Sequence, residues 1–137
     1  MFLVYTPNDG DPQRFPYKPR KMMSPEMEAL ERVTDRNFSQ FTADVMQGNA
    51  LCRRALLWVM QKRQHPTLKF ADVTIAWDEL KLEYSKQEYQ ALIDNTRENT
   101  SGAEQAAAIA KLEAEMADAI DEDGDEQGGK ALLPIAD

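Results

Sequence analysis

Apolar positions crowd most densely between Leu51 and Met60. There Leu51, Cys52, Ala55, Leu56, Leu57, Trp58, Val59 and Met60 cover well over half of a helical circumference, and Arg53, Arg54, Gln61 and Lys62 leave only a narrow polar strip. A helix so broadly apolar has to be enclosed by other elements, so the pattern predicts the central helix of a domain. His65-Pro66 stops it, because proline pushes the residue before it out of the helical region. The imidazole of His65 is placed there to close the helix C-terminus as a partial cation. A short turn, Leu68 to Val73, follows, and then a second apolar–acidic stretch, Trp77 to Tyr84.

The flanking segments are shorter and more mixed. Phe2-Leu-Val-Tyr5 and Arg14-Phe-Pro-Tyr17 read as a small β-hairpin around a turn-rich loop. The prolines at 12, 16 and 19 confine its second run to an edge strand. Ser24-Pro25 predicts a helix start, with serine capping and proline in the first turn. Met23, Met27, Leu30 and Val33 or Thr34 form that helix's inner stripe. A second short helix presents Phe38, Phe41, Val45 and Met46 inward, and Gly48-Asn49 ends it and starts the central helix. Ser85-Lys-Gln-Glu88 has the spacing of a capping box and opens a helix that turns Tyr89, Leu92 and Ile93 inward. Asn99 to Gly102 is a linker, and Ala103 to Ile120 is alanine-rich and helical by propensity.

Together these elements predict a mainly α fold: a small helical body with a short N-terminal β-hairpin over residues 1–98, and an Ala-rich amphipathic helix over 103–120. A disordered acidic tail over 121–137 is expected to follow, because DEDGDEQGGK offers too little apolar area to offset its ordering entropy.

Charge sharpens this division. Residues 1–102 hold 14 bases and 14 acids, whereas residues 103–137 hold 2 bases and 10 acids and so carry the whole net charge of −8. An acidic tail on a neutral body favours solubility and repels nucleic acid. The mean hydropathy of −0.60 fits a folded body with a solvated portion. With one cysteine no internal disulfide is possible, and Cys52 falls on the apolar helix as a buried structural thiol. Met1 to Tyr5 lacks the basic flank of a secretory signal, and no apolar run approaches the roughly 18 residues that span a bilayer. A cytoplasmic location is the expectation.

Candidate chemistry is sparse. His65 is the single histidine, and no nucleophile or second acid accompanies it as a general base requires. Phosphate loops, nucleophile elbows and His/Cys metal sets are lacking in the sequence, so no enzyme, cofactor or metal is expected. A calcium loop starting at Asp121 needs glycine at its sixth position and a carboxylate at its twelfth, and finds Glu126 and Leu132. Arg14, Lys18, Arg20 and Lys21, interleaved with Phe15 and Tyr17, have the composition of a single-strand grip. The body has no net positive charge, however, and packing of Phe15 and Tyr17 onto the helices is the simpler role. Partner binding fits better. Ile109, Leu112, Met116 and Ile120 form a narrow apolar stripe suited to a helix-in-groove contact or to docking on the protein's own body. Ala131-Leu-Leu-Pro-Ile135 is a second apolar run, with an incidental segment as its alternative reading.

One stretch carries a resemblance. A helix bearing Ala55, Leu56, Trp58, Val59, Lys62 and Arg63, then a turn bearing Pro66, Leu68, Phe70, Asp72 and Val73, then an acidic–apolar segment, resembles the tail assembly chaperones of long-tailed, siphovirus-like bacteriophages. The upstream helix with Glu26, Met27, Leu30, Glu31, Arg32 and Thr34 is similar to that family too, and the likeness covers roughly residues 14 to 95. These are packing motifs rather than catalytic ones. The family often has a glycine where this chain has Asp35, and aspartate takes the left-handed turn that ends a helix less readily than glycine. The resemblance implies a non-enzymatic chaperone of the host cytoplasm that keeps the tape measure protein soluble, helps recruit tail tube subunits and is absent from the mature virion. Many members also exist as a longer form made by programmed frameshift. Gly129-Lys130 could be encoded by a slippery run, which would make the longer form a partner and leave Ala131 to Asp137 without a selected role. The alternatives are a structural head–tail connector or tail-completion protein of the virion, and an acidic inhibitor that mimics DNA.

Overall fold

In a computed structural model that describes residues 1–121, the elements run in the order β1 (Phe2–Tyr5), β2 (Gln13–Pro16), α1 (Ser24–Thr34), α2 (Phe38–Met46), α3 (Ala50–Lys62), β3 (Leu80–Glu83), α4 (Lys86–Asn99) and α5 (Gly102–Ala117). Short 3-10 turns at Pro19–Lys21, Phe70–Asp72 and Trp77–Glu79 join them. The architecture is mainly α with a short N-terminal antiparallel hairpin, as the sequence predicts. The tail expected over 121–137 lies outside the described residues from 122 onward, and Gly129-Lys130 and Ala131 to Ile135 with it. The chain forms two compact units, Phe2–Leu82 and a second comprising Met1 and residues from Glu83 onward.

The first unit is built around α3. Cys52, Ala55, Leu56, Leu57, Trp58, Val59 and Met60 are all buried, which matches the breadth of the apolar face in the sequence. Each fully buried aliphatic side chain contributes about 1.5–3 kcal/mol, so this helix dominates the hydrophobic stabilisation of the unit. Leu30 of α1, Phe41 and Val45 of α2, and Leu3 of β1 are fully enclosed with it. Asn49 caps α3 by accepting from the Cys52 N–H at 3.0 Å. Gly48, at φ +87°, makes the left-handed reversal between α2 and α3 that glycine adopts without strain.

Several local expectations are corrected. Ser24 lies inside α1 rather than at its cap, and the Met23 carbonyl accepts from the Glu26 and Met27 amides. Met23 and Met46 point outward, at 69% and 44% exposure. Met23 precedes the first residue of α1 and Met46 is the last residue of α2, so each lies outside its helix's buried stripe. Asp35 takes the left-handed position after α1, with φ 51° and ψ 46°, and its N–H closes on the Glu31 carbonyl. The Glu31 carboxylate then caps α2 by accepting from the Phe38 N–H at 2.8 Å. His65 is exposed, and it is its backbone N–H, not its imidazole, that closes on the Gln61 carbonyl at the end of α3.

The acidic–apolar stretch after Trp77 supplies a strand that periodicity alone does not distinguish. β3 completes a sheet of order β2-β1-β3, which leaves the proline-bearing β2 at an edge. Phe2 pairs with Pro16 and Tyr5 with Gln13. Glu79 fastens the loops around this sheet, accepting from the Ala76 N–H at 2.6 Å and the Asn8 N–H at 3.2 Å.

In the second unit α4 and α5 pack as an antiparallel helical hairpin. The capping box forms as predicted: Ser85 Oγ accepts from the Glu88 N–H, and the Glu88 carboxylate accepts from the Ser85 N–H. The Ala-rich helix begins at Gly102 and ends at Ala117, three residues short of Ile120. Ile120 instead forms a parallel bridge with Ser85, and its carbonyl accepts from the Lys86 N–H at 2.8 Å.

Candidate functional site

The turn after α3 holds the densest set of specific side-chain contacts in the first unit. Trp58 Nε1 donates to the Leu68 carbonyl at 2.9 Å, and the Trp58 and Phe70 rings meet edge to face at 5.6 Å. Arg54 reaches the same turn from α3, where its Nε donates to the Val73 carbonyl at 2.6 Å and its Nη2 to the Phe70 carbonyl at 3.1 Å. Lys62 stands over the Trp58 ring at 4.8 Å. A loop running over the surface has backbone carbonyls to satisfy, and here α3 side chains satisfy three of them. Trp58, Lys62, Leu68, Phe70 and Val73 thus act as one packed piece, with Arg54 as its main clasp.

Beside this piece, α1 and the end of α3 border a groove of about 250 Å³, lined chiefly by Pro25, Ala29, Val59 and Pro66. Arg63 spans it with a forked pair to Glu26, Nε to Oε2 at 2.8 Å and Nη2 to Oε1 at 3.0 Å. The carboxylate holds the guanidinium charged, raising its pKa. The groove had no signature in the sequence, since its lining comes from two stretches some thirty residues apart, 25–29 and 59–66. Trp77 is the other surface feature: 55% exposed, it stacks on the Arg53 guanidinium at 5.5 Å and lies over Gly48.

The four residues of the predicted stripe, Ile109, Leu112, Met116 and Ile120, are all half-buried. The first three share one face of α5, and Met116 joins Ile93, Gln90 and Arg97 in lining a cleft of about 340 Å³ in the α4–α5 hairpin. Ile120 lies beyond the helix. No residue of α5 is fully buried.

Ionisable groups in the first unit serve packing. Burial pushes the Tyr17 phenol up to about 12, with the nearby Cys52 adding to it, and the Tyr17 hydroxyl has no hydrogen-bond partner among the described residues. Burial also raises the Cys52 thiol, partly offset by Arg36, whose Nη1 sits 3.3 Å from Sγ while its Nε pairs with Asp44 at 3.0 Å. Among the described residues no cluster of three or more His, Cys, Asp or Glu could hold a metal ion, and no helix is long and apolar enough to cross a membrane. No known protein family, curated protein or solved structure matches the chain.

Proposed function

We propose that the protein is a tail assembly chaperone of a long-tailed bacteriophage. In this role it binds the tape measure protein, keeps it soluble in the host cytoplasm and helps gather tail tube subunits around it. One observation carries the reading: the residues through which the sequence resembles that family, Trp58, Lys62, Leu68, Phe70 and Val73, form a single interlocked piece on α3. A motif whose members hold one another in place is a unit of architecture, which supports kinship through packing rather than through an active site.

Holding an aggregation-prone helical partner is a mass-action task, since each bound molecule lowers the population free to self-associate. The half-buried stripe of Ile109, Leu112 and Met116 on the α4–α5 hairpin offers an apolar face for such a contact. No catalytic step belongs to this role, and the protein is released before the particle is complete.

Co-expression tests it. The tape measure protein of the same phage should move from the pellet to the soluble fraction when the chain is present and co-purify with it. A tape measure protein equally soluble alone, or one that never co-purifies, would sink the proposal.

A further inference from the structure

The approach to α1 is strongly basic. Between Pro12 and Pro25 the chain carries Arg14, Lys18, Arg20 and Lys21 and no acid. Tyr17 and Met22 are buried and pin this stretch to the core, while the four cations between and before them are exposed. The 3-10 turn fixes the presentation, with the Lys21 N–H closing on the Lys18 carbonyl and the Met22 N–H on the Pro19 carbonyl. Arg20 and Lys21 form no ion pair among the described residues. Met23 follows at 69% exposure, and two residues later Pro25 opens the apolar groove with Ala29, Val59 and Pro66. Lys62 stands on the groove's wall, and its acid, Glu26, is already neutralised by Arg63.

We infer that the exposed Arg20, Lys21 and Met23, together with the Pro25–Ala29–Val59–Pro66 groove that follows them along the chain, dock a short acidic segment of a partner protein that carries an apolar anchor. The groove takes the anchor and the cations take the flanking carboxylates. Charge complementarity selects the sign of the occupant, and the apolar lining selects a peptide over a bare polyanion. A nucleic acid fits less well: Tyr17 is buried and Phe15 half-buried, so neither ring near these cations is free to stack a base. This docking site stands whether or not the chain acts in tail assembly.

Fluorescence anisotropy with the full chain tests it, using a labelled synthetic peptide of alternating Glu and Leu pairs. Two further probes are its counterpart with Lys for Glu and a single-stranded oligo-dT of similar charge. The acidic peptide should bind, weaken with added salt, and lose about tenfold or more in affinity to the double variant Arg20→Glu, Lys21→Glu. Ala29→Met, which fills the groove, should weaken the peptide without changing the salt dependence. Circular dichroism checks that both variants fold. Equal binding of the Lys peptide, indifference of the acidic peptide to the double variant, or tighter binding of oligo-dT with displacement of the peptide each overturns the inference.

Discussion

The guanidinium of Arg54 lies 4.0 Å from the centroid of the Phe70 ring. The same group donates to the carbonyls of Val73 and Phe70, so one side chain on α3 satisfies two carbonyls of the turn and stacks on its aromatic residue. Lysine cannot reproduce this, because it lacks both the planar fork and the stacking face. Arg54→Lys should therefore destabilise the protein by about 1–2 kcal/mol and Arg54→Ala by about 2–3 kcal/mol, since the latter leaves the Val73 carbonyl unpaired and the Phe70 carbonyl with the Val73 N–H alone. Urea unfolding checks this. A loss as small as a surface substitution typically gives would show that the turn holds without its clasp.

Trp58 and Trp77 are the two tryptophans, and they report on opposite environments. Trp58 is 7% exposed and Trp77 55%. In Trp58→Phe the remaining emission should be red-shifted and readily quenched by acrylamide. In Trp77→Phe it should be blue-shifted and protected. The first variant should also cost about 1–2 kcal/mol, because the indole N–H bond to the Leu68 carbonyl goes with the ring. Similar quenching in the two variants contradicts the placement of α3 at the centre.

Tyr17 gives a pH signature. Its phenol is held protonated up to about 12, against an ordinary value near 10. Between those values the unfolded chain has released the proton and the folded protein has not, so stability is full below pH 10. It should then fall by about 1.4 kcal/mol per pH unit as the pH rises towards 12. Tyr17→Phe should remove that component of the alkaline loss. It should also raise stability at neutral pH by about 1 kcal/mol, because the hydroxyl it deletes is buried without a partner. Denaturant titrations at several pH values measure both; a Phe variant less stable at neutral pH would show that the hydroxyl is satisfied after all.

Ser85 is fully buried and caps α4 through the Glu88 N–H. Ser85→Ala should cost about 1 kcal/mol, seen as a lowered Tm. An unchanged Tm would mean that other contacts carry the start of this helix.

Much of the fold was legible because its strongest signals are local. The apolar girth of α3, the Asn49 start, the Ser85–Glu88 box and the edge position of the proline-bearing β2 each follow from residues within a few positions of one another. The misses share the opposite character. β3 is defined by pairing with β1, more than seventy residues away in sequence. Asp35 adopts the left-handed turn, where it completes the end of α1 while Glu31 caps α2 from across the same turn. Met23 and Met46 look like stripe members by spacing, but the packing stops before each of them. The groove beside α1 joins Pro25, Ala29, Val59 and Pro66 from distant segments, and no window along the chain contains it.

The chaperone reading makes one demand that a structural component of the virion does not share. Quantitative mass spectrometry should follow the chain in infected cells, captured through an N-terminal tag, and in purified virions from the same culture. The account predicts tape measure or tail tube protein in the captured material and none of the chain in virions. A fixed copy number per particle, as a connector ring requires, would contradict it.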